Sequence, residues 1–144
     1  MRGQVSAELM AIIGLILALF IPLLLTVYAK TNEANQELYQ IQAELASTRL
    51  AYLINSVGQL GTGSSILADV FIPPYINRIQ ITNQGRGSQV VINMNTQNGQ
   101  SEISDVIRFP VTLDDPRNRL QNPSEGLRRF NISYVGNSVI VRVV

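Results

Sequence analysis

Glu8 raises the sharpest chemical question in the chain, because it stands directly before residues 9–29, a stretch without a single charged side chain. A carboxylate at the mouth of an apolar helix must find a cation or bear the desolvation cost of an unpaired ion. Only Arg2 lies within helical reach. Farther on, Glu102 and Asp105 are a candidate carboxylate pair, and Asp114, Asp115, Asn118 and Glu125 gather oxygens in one loop. Nothing in the spacing of Glu102 and Asp105 fixes a separation or a sugar cleft, so glycoside hydrolysis has no support. The Asp114–Glu125 group lacks the ligand spacing and central Gly of a calcium loop and reads as a solvated loop. Arg117, Arg119, Arg128 and Arg129 are the densest basic stretch, where a DNA-catching surface would be sought. Interleaved with acids, they read instead as members of surface ion pairs.

The chain has no Cys and no His. Thiolate and imidazole metal sites, disulfide frameworks and Ser-His or Cys-His triads are thereby excluded. No catalytic residue, metal ligand or cofactor is assigned, and the expected protein is not an enzyme. Eleven Lys and Arg against ten Asp and Glu leave a net charge of +1, too little for a field that collects nucleic acid. With 46% hydrophobic and only 15% charged residues, the composition argues against disorder.

The elements that position these residues divide sharply along the chain. Residues 9–29 would span about 30 Å as a helix, the thickness of a bilayer's hydrocarbon core. They are apolar on every face, which suits lipid or complete enclosure and not a water-exposed helix. Gly14, Pro22 and Thr26 are its interruptions. Pro22 removes one helical hydrogen bond and is expected to kink or loosen the helix there. Residues 30–60 are rich in Glu, Gln, Ala and Leu and predict an amphipathic continuation. Its apolar stripes are Leu38, Ile41 and Leu45, then Ala46, Leu50, Leu53, Val57 and Leu60, and both read as faces packed on the chain's own domain. Unbroken, residues 5–59 would make a helix of roughly 80 Å.

Gly58-Gln59-Leu60-Gly61-Thr62-Gly63-Ser64-Ser65 should stop the helix and serve as a flexible joint. It lacks the Gly-Lys-Ser/Thr ending of a phosphate-binding loop. Beyond it the apolar period changes to two. Strands are predicted over residues 76–82 and 88–94, joined by Asn83-Gln84-Gly85-Arg86-Gly87, and a further segment over 107–113 is bent or placed at an edge by Pro110. Two last strands carry Phe130, Ile132 and Tyr134, then residues 138–144, across a Gly136-Asn137 turn. The predicted fold is α+β. A long N-terminal hydrophobic helix continues into an amphipathic helix packed on a small C-terminal antiparallel sheet of four or five strands, residues 66–144. Asn131-Ile132-Ser133 is a possible N-glycosylation site, and strand alternation sends Asn131 to the face opposite Phe130 and Ile132.

Residues 2–9, Arg2-Gly3-Gln4-Val5-Ser6-Ala7-Glu8-Leu9, set a basic residue, a small residue and Gln-x-Ser-x-Glu directly against the apolar run. This octet resembles the processing site of archaeal type IV pilins, whose class III signal peptide is marked by Gln-x-Ser-x-Glu. The resemblance covers residues 2 to about 29 and has a type IV pilin-like architecture behind it. It implies cleavage between Gly3 and Gln4 by a prepilin peptidase, which makes residues 1–3 a leader and leaves residues 4–29 as a retained transmembrane and filament-core helix. It further implies that Glu8 serves in assembly by pairing with the free amine of a neighbouring subunit's Gln4. Charge chemistry agrees, since an ammonium and a carboxylate stabilise each other in an apolar core where either alone is costly. The partners implied are further copies of the chain in a helical homopolymer, the peptidase, an assembly platform protein with its ATPase, and the membrane before assembly. Archaellins share the cleavage logic but usually lack a Glu here, so Glu8 points to an adhesive surface pilus. The expected location is a single-pass plasma-membrane precursor and then an extracellular filament used in adhesion and aggregation. The alternative is a single-pass membrane-anchored envelope protein with an extracellular β binding domain. A cleaved secretory signal ending near Val27-Tyr28-Ala29 would instead release a soluble β protein.

Overall fold

A computed structural model describes the backbone of residues 2–84, 87–97 and 99–144, with side chains described among these except at 2–6 and 84. The chain is one helix followed by seven strands: α1 (Arg2–Leu60), β1 (Ser65–Ile72), β2 (Ile76–Gln84), β3 (Gly87–Thr96), β4 (Gly99–Ile107), β5 (Val111–Asp114), β6 (Gly126–Val135) and β7 (Ser138–Val143). It divides into two compact units, Met1–Glu37 and Leu38–Val144.

The first unit is helix alone. Pro22 lies inside α1 and does not end it. The hydroxyl of Thr26 donates to the Pro22 carbonyl at 2.8 Å, and that of Thr31 donates to the Val27 carbonyl at 2.9 Å. Bonded back to the preceding turn, each of these two hydroxyls is satisfied within the helix.

The second unit is the predicted α+β body, in which a helix packs on an antiparallel-rich β domain. Ala43, Ala46, Ser47, Leu50, Ala51, Ile54 and Val57 of α1 are buried. Their 3 and 4 spacing puts them on one face, and the small residues among them let strands approach closely. At Gly58 a Cβ would overlap the Phe109 ring, so a glycine is required there by close packing. One continuous core joins these residues to Val70, Ile72, Ile79, Val90, Ile92, Met94, Ile107, Phe130, Ile132, Val139 and Val141. The apolar alternation read in β3, β6 and β7 is therefore the core face of each strand. The helix supplies a layer that a sheet of this size lacks.

The stripes fare differently. Ala46, Leu50 and Val57 are buried and Leu53 packs against the core, but Leu38, Ile41, Leu45 and Leu60 are exposed, contrary to the packed face expected of them. The β domain reaches only one face of α1, and that face begins at Tyr39, whose ring lies 5.5 Å from that of Tyr75.

The strands form two sheets where one was expected: β1-β6-β7-β5, and the meander β2-β3-β4. β1 and β4 escaped the sequence reading because their outward residues are polar or irregularly apolar, with burial alternating along β4 only at half-buried positions. The segment predicted over 107–113 is divided: Ile107 ends β4, Pro110 lies in the break, and β5 begins at Val111. β5 pairs with β7 in parallel, against the all-antiparallel expectation. Its Pro110 carbonyl accepts from Val139 N at 2.9 Å, so the proline sits where only its acceptor is needed.

Two local devices fix the domain. The β6–β7 hairpin turns on Gly136-Asn137 between Val135 and Ser138, with Gly136 at φ 63° as a two-residue turn of this kind demands. The Gly/Ser segment after α1 is fastened, not a free joint. Gly61 (φ 86°) leaves the helix, the Ser64 hydroxyl reaches the Val57 and Gly61 carbonyls at 2.9 and 2.7 Å, and Gly63 N donates to Tyr134 O at 3.1 Å.

Candidate functional site

The candidate site is the apolar part of α1 in the first unit. Leu, Ala, Ile and Met dominate residues 9–25, and all but Ile are strong helix formers. Fifteen large apolar side chains between Leu9 and Tyr28 are each 48% to 75% exposed, and none of this span is buried within the chain. At about 1.5–3 kcal/mol for each such side chain removed from water, their burial outweighs the roughly 5–15 kcal/mol stability of an ordinary domain. The helix is long and apolar enough to cross a bilayer. A chain with an exposed apolar N-terminal helix, followed by a folded β domain, fits a membrane-anchored protein or one with a signal-like segment.

Glu8, at the leading edge, is exposed and makes no hydrogen bond or ion pair among the described residues. Every other charge of the first unit with a described side chain lies beyond the apolar run, beginning with the Lys30–Glu33 pair at 2.7 Å. The Gly3-Gln4 processing bond and the assembly amine of Gln4 lie outside the residues whose side chains are described, as does the possible partner Arg2. The glycine and arginine at the centre of the predicted β2–β3 turn, Gly85 and Arg86, also fall outside the described residues.

The other candidates are dispersed. Glu102 and Asp105 are three residues apart on β4 and so face opposite sides of it; Asp105 accepts from the Thr48 hydroxyl at 3.2 Å. Asp114 is taken by Arg142 at 2.7 Å, and Asp115 accepts from Leu120 N at 2.9 Å, closing its own loop. No group of three potential ligands among His, Cys, Asp and Glu occurs among the described residues. A groove of about 560 Å³ runs along β2 beside Leu113, Asp115 and Asn118, but Asp115 is the one carboxylate lining it. It offers no acid–base pair.

Of the four clustered arginines, Arg129 forms a two-pronged pair with Asp69 across β1 and β6, at 2.8 and 3.1 Å. The Arg129 guanidinium holds the Asp69 carboxyl below the usual carboxylate range through its hydrogen bond and charge, with Arg49 adding a smaller push. Sequence reasoning did not find this pair, which depends on the β1–β6 register. It also missed a buried polar knot at Ser88. That hydroxyl lies 2.6 Å from Asn83 Oδ1 and 2.9 Å from the Phe109 carbonyl, and it accepts from Val111 N at 3.1 Å, linking β3 to the start of β5.

Asn131 lies on β6 between Leu67 and Arg142, on the face opposite the buried Phe130 and Ile132, and is half-buried. No family model, curated protein or solved structure matches this chain.

Proposed function

We propose that the chain is a pilin: a non-enzymatic structural subunit of an archaeal type IV pilus-like surface filament, used in adhesion and aggregation. The observation that carries the proposal is the conjunction at the N-terminus. A Gln-x-Ser-x-Glu pattern abuts an apolar helix whose side chains are exposed, and the Glu8 within that pattern has no partner among the described residues. A simple anchor accounts for the apolar helix and for a carboxylate resting among headgroups at the positive end of its dipole, but gives no reason for the Gln-x-Ser pattern around Glu8.

In this reading a prepilin peptidase cuts Gly3 from Gln4, and the subunit waits in the membrane with its β domain outside. A platform protein and an ATPase then move it into a helical homopolymer. Contacts among the apolar helices replace contacts with lipid, and the ammonium of Gln4 in one subunit neutralises Glu8 of another. The β domains form the outer surface, where Asn131 is available to a glycan.

The test is to replace Glu8 in cells and count filaments. Glu8→Ala and Glu8→Gln should each abolish or severely reduce filaments while the protein remains in the membrane, because either leaves the Gln4 ammonium unpaired in an apolar core. Normal filament numbers from both variants would contradict the pairing.

A further inference from the structure

Leu38, Ile41, Leu45 and Tyr52 recur at 3, 4 and 7 spacing and share one face of α1 within Leu38–Val144. The β domain packs on another face, through Ala43, Leu50 and Ile54, and leaves these four 49%, 54%, 64% and 70% exposed. A row of this kind on one helix face is rare on a monomer's surface without a partner. In heptad terms Leu38, Leu45 and Tyr52 are a positions and Ile41 and Thr48 are d positions. The stripe has a defined end. Thr48 is bonded to Asp105, and Asn55, the next d position, is held by Arg108 N at 2.9 Å.

We propose that a second copy of this chain covers the stripe, the two helices packing in parallel over two heptads. The flanking charges select this occupant and this orientation. Glu37 and Glu44 occupy g positions and Gln42 and Arg49 occupy e positions. A parallel pair sets each g residue against the e residue five positions on in the other helix, so Glu44 meets Arg49 of the second copy, twice by symmetry, and Glu37 meets Gln42. An antiparallel pair would set Glu37 and Glu44 against their own counterparts. Glu44 makes no ion pair within the chain among the described residues; Arg49 acts on the Asp69 carboxyl through its charge without a direct ion pair, and it lines an open groove beside Leu45 and Phe71.

Two heptads are too short to hold a pair in dilute solution, so the contact needs the high effective concentration of chains held in one membrane. To that extent it rests on the membrane reading above. A parallel pair closes on itself, whereas a helical filament requires contacts that do not close. The pair is therefore a state of the membrane-held subunit, and it must part before the subunit enters a fibre.

The chain has no Cys, so one introduced thiol is its only one. In membranes from cells making the full chain, oxidation with copper phenanthroline should yield disulfide dimers of Leu38→Cys and Leu45→Cys. Thr62→Cys and Thr112→Cys, exposed but off the stripe, should not respond. In the Leu45→Cys background, Glu44→Arg sets Arg against Arg twice and should cut the dimer roughly fivefold, and adding Arg49→Glu should restore it. Equal dimer from the control positions, none from either stripe position, or no restoration by the second swap would overturn the proposal. Terminal processing at Gly3-Gln4 is read separately by mass, so failure of the pair and failure of the pilin reading are distinguishable.

Discussion

The two halves of α1 share a secondary structure and differ in what their apolar side chains do. Between Leu9 and Tyr28 the large residues are exposed; between Ala43 and Val57 one face is buried in the core it shares with the β domain. Hydrophobic content alone does not separate the halves by fate. The first is apolar on every face, which one small domain could not cover. The second confines its inward residues to one face and makes several of them small, Ala43, Ala46, Ser47, Ala51 and Gly58, so that a β domain fits against it. The first half therefore requires an environment and the second a fold.

The largest effect that would break this division comes from a charge in the second half. Ile54 is fully buried, and Ile54→Asp should destabilise the β domain by about 4 kcal/mol or more through lost packing and a desolvated carboxylate. Protease resistance and thermal unfolding of the full chain in detergent would read it, with membrane association retained. The reciprocal change is Leu17→Arg, which should oppose insertion by about 2.5–3.5 kcal/mol and leave thermal unfolding of the β domain unchanged. Fractionation of cell membranes checks it. If either variant disturbs both properties equally, the halves are not separate in the sense argued.

Within the β domain, Ser88→Ala should cost about 1 kcal/mol, since it leaves Val111 N only its 3.2 Å bond to Asn83 Oδ1 and removes the hydroxyl lying between Asn83 Oδ1 and the Phe109 carbonyl. Denaturant midpoints measure it. The smallest effect is expected at Arg129→Ala. The Asp69 carboxyl is held below its ordinary range in the folded chain, so the stability from this pair is present above the unfolded carboxylate's pKa. It is lost as pH falls through the lowered value of the folded state. The difference in melting temperature between Arg129→Ala and the unaltered chain should therefore be small at neutral pH and vanish in acid; a difference that grows in acid would assign the pair the wrong sign.

Much of this was legible in the residues because period and burial coincide. Val90, Ile92 and Met94 alternate and are buried; Phe130 and Ile132 do the same; Gly136-Asn137 can scarcely be anything but a tight turn. Pairing order was not legible. β5 joins β7 in parallel through four residues, a choice made by the long return from β5 through the loop to β6 and not by any local pattern. β4 carries Gln100, Ser101, Glu102, Ser104 and Asp105, so its sparse apolar positions hid it. The same limit explains Leu38, Ile41 and Leu45: periodicity says that a helix has an apolar face, but not which of two stripes its own domain will cover.

For the site, Glu8 and the apolar run were evident from charge alone, whereas the carboxylate and arginine candidates farther on needed the register to be sorted. Asp69 finds Arg129 because β1 and β6 align at that position, and Asp114 finds Arg142 because β5 and β7 do. What resembled clustered chemistry in the sequence is distributed into separate surface pairs.

The claim on which the account turns is that the apolar helix survives processing and enters a fibre with a free Gln4 at its head. Intact-mass measurement of this chain in purified surface fibres tests it most directly. The account predicts a chain that begins at Gln4, short of residues 1–3 and still carrying residues 9–29; a chain that begins at Met1 or at Lys30, or fibres without this polypeptide, would contradict it.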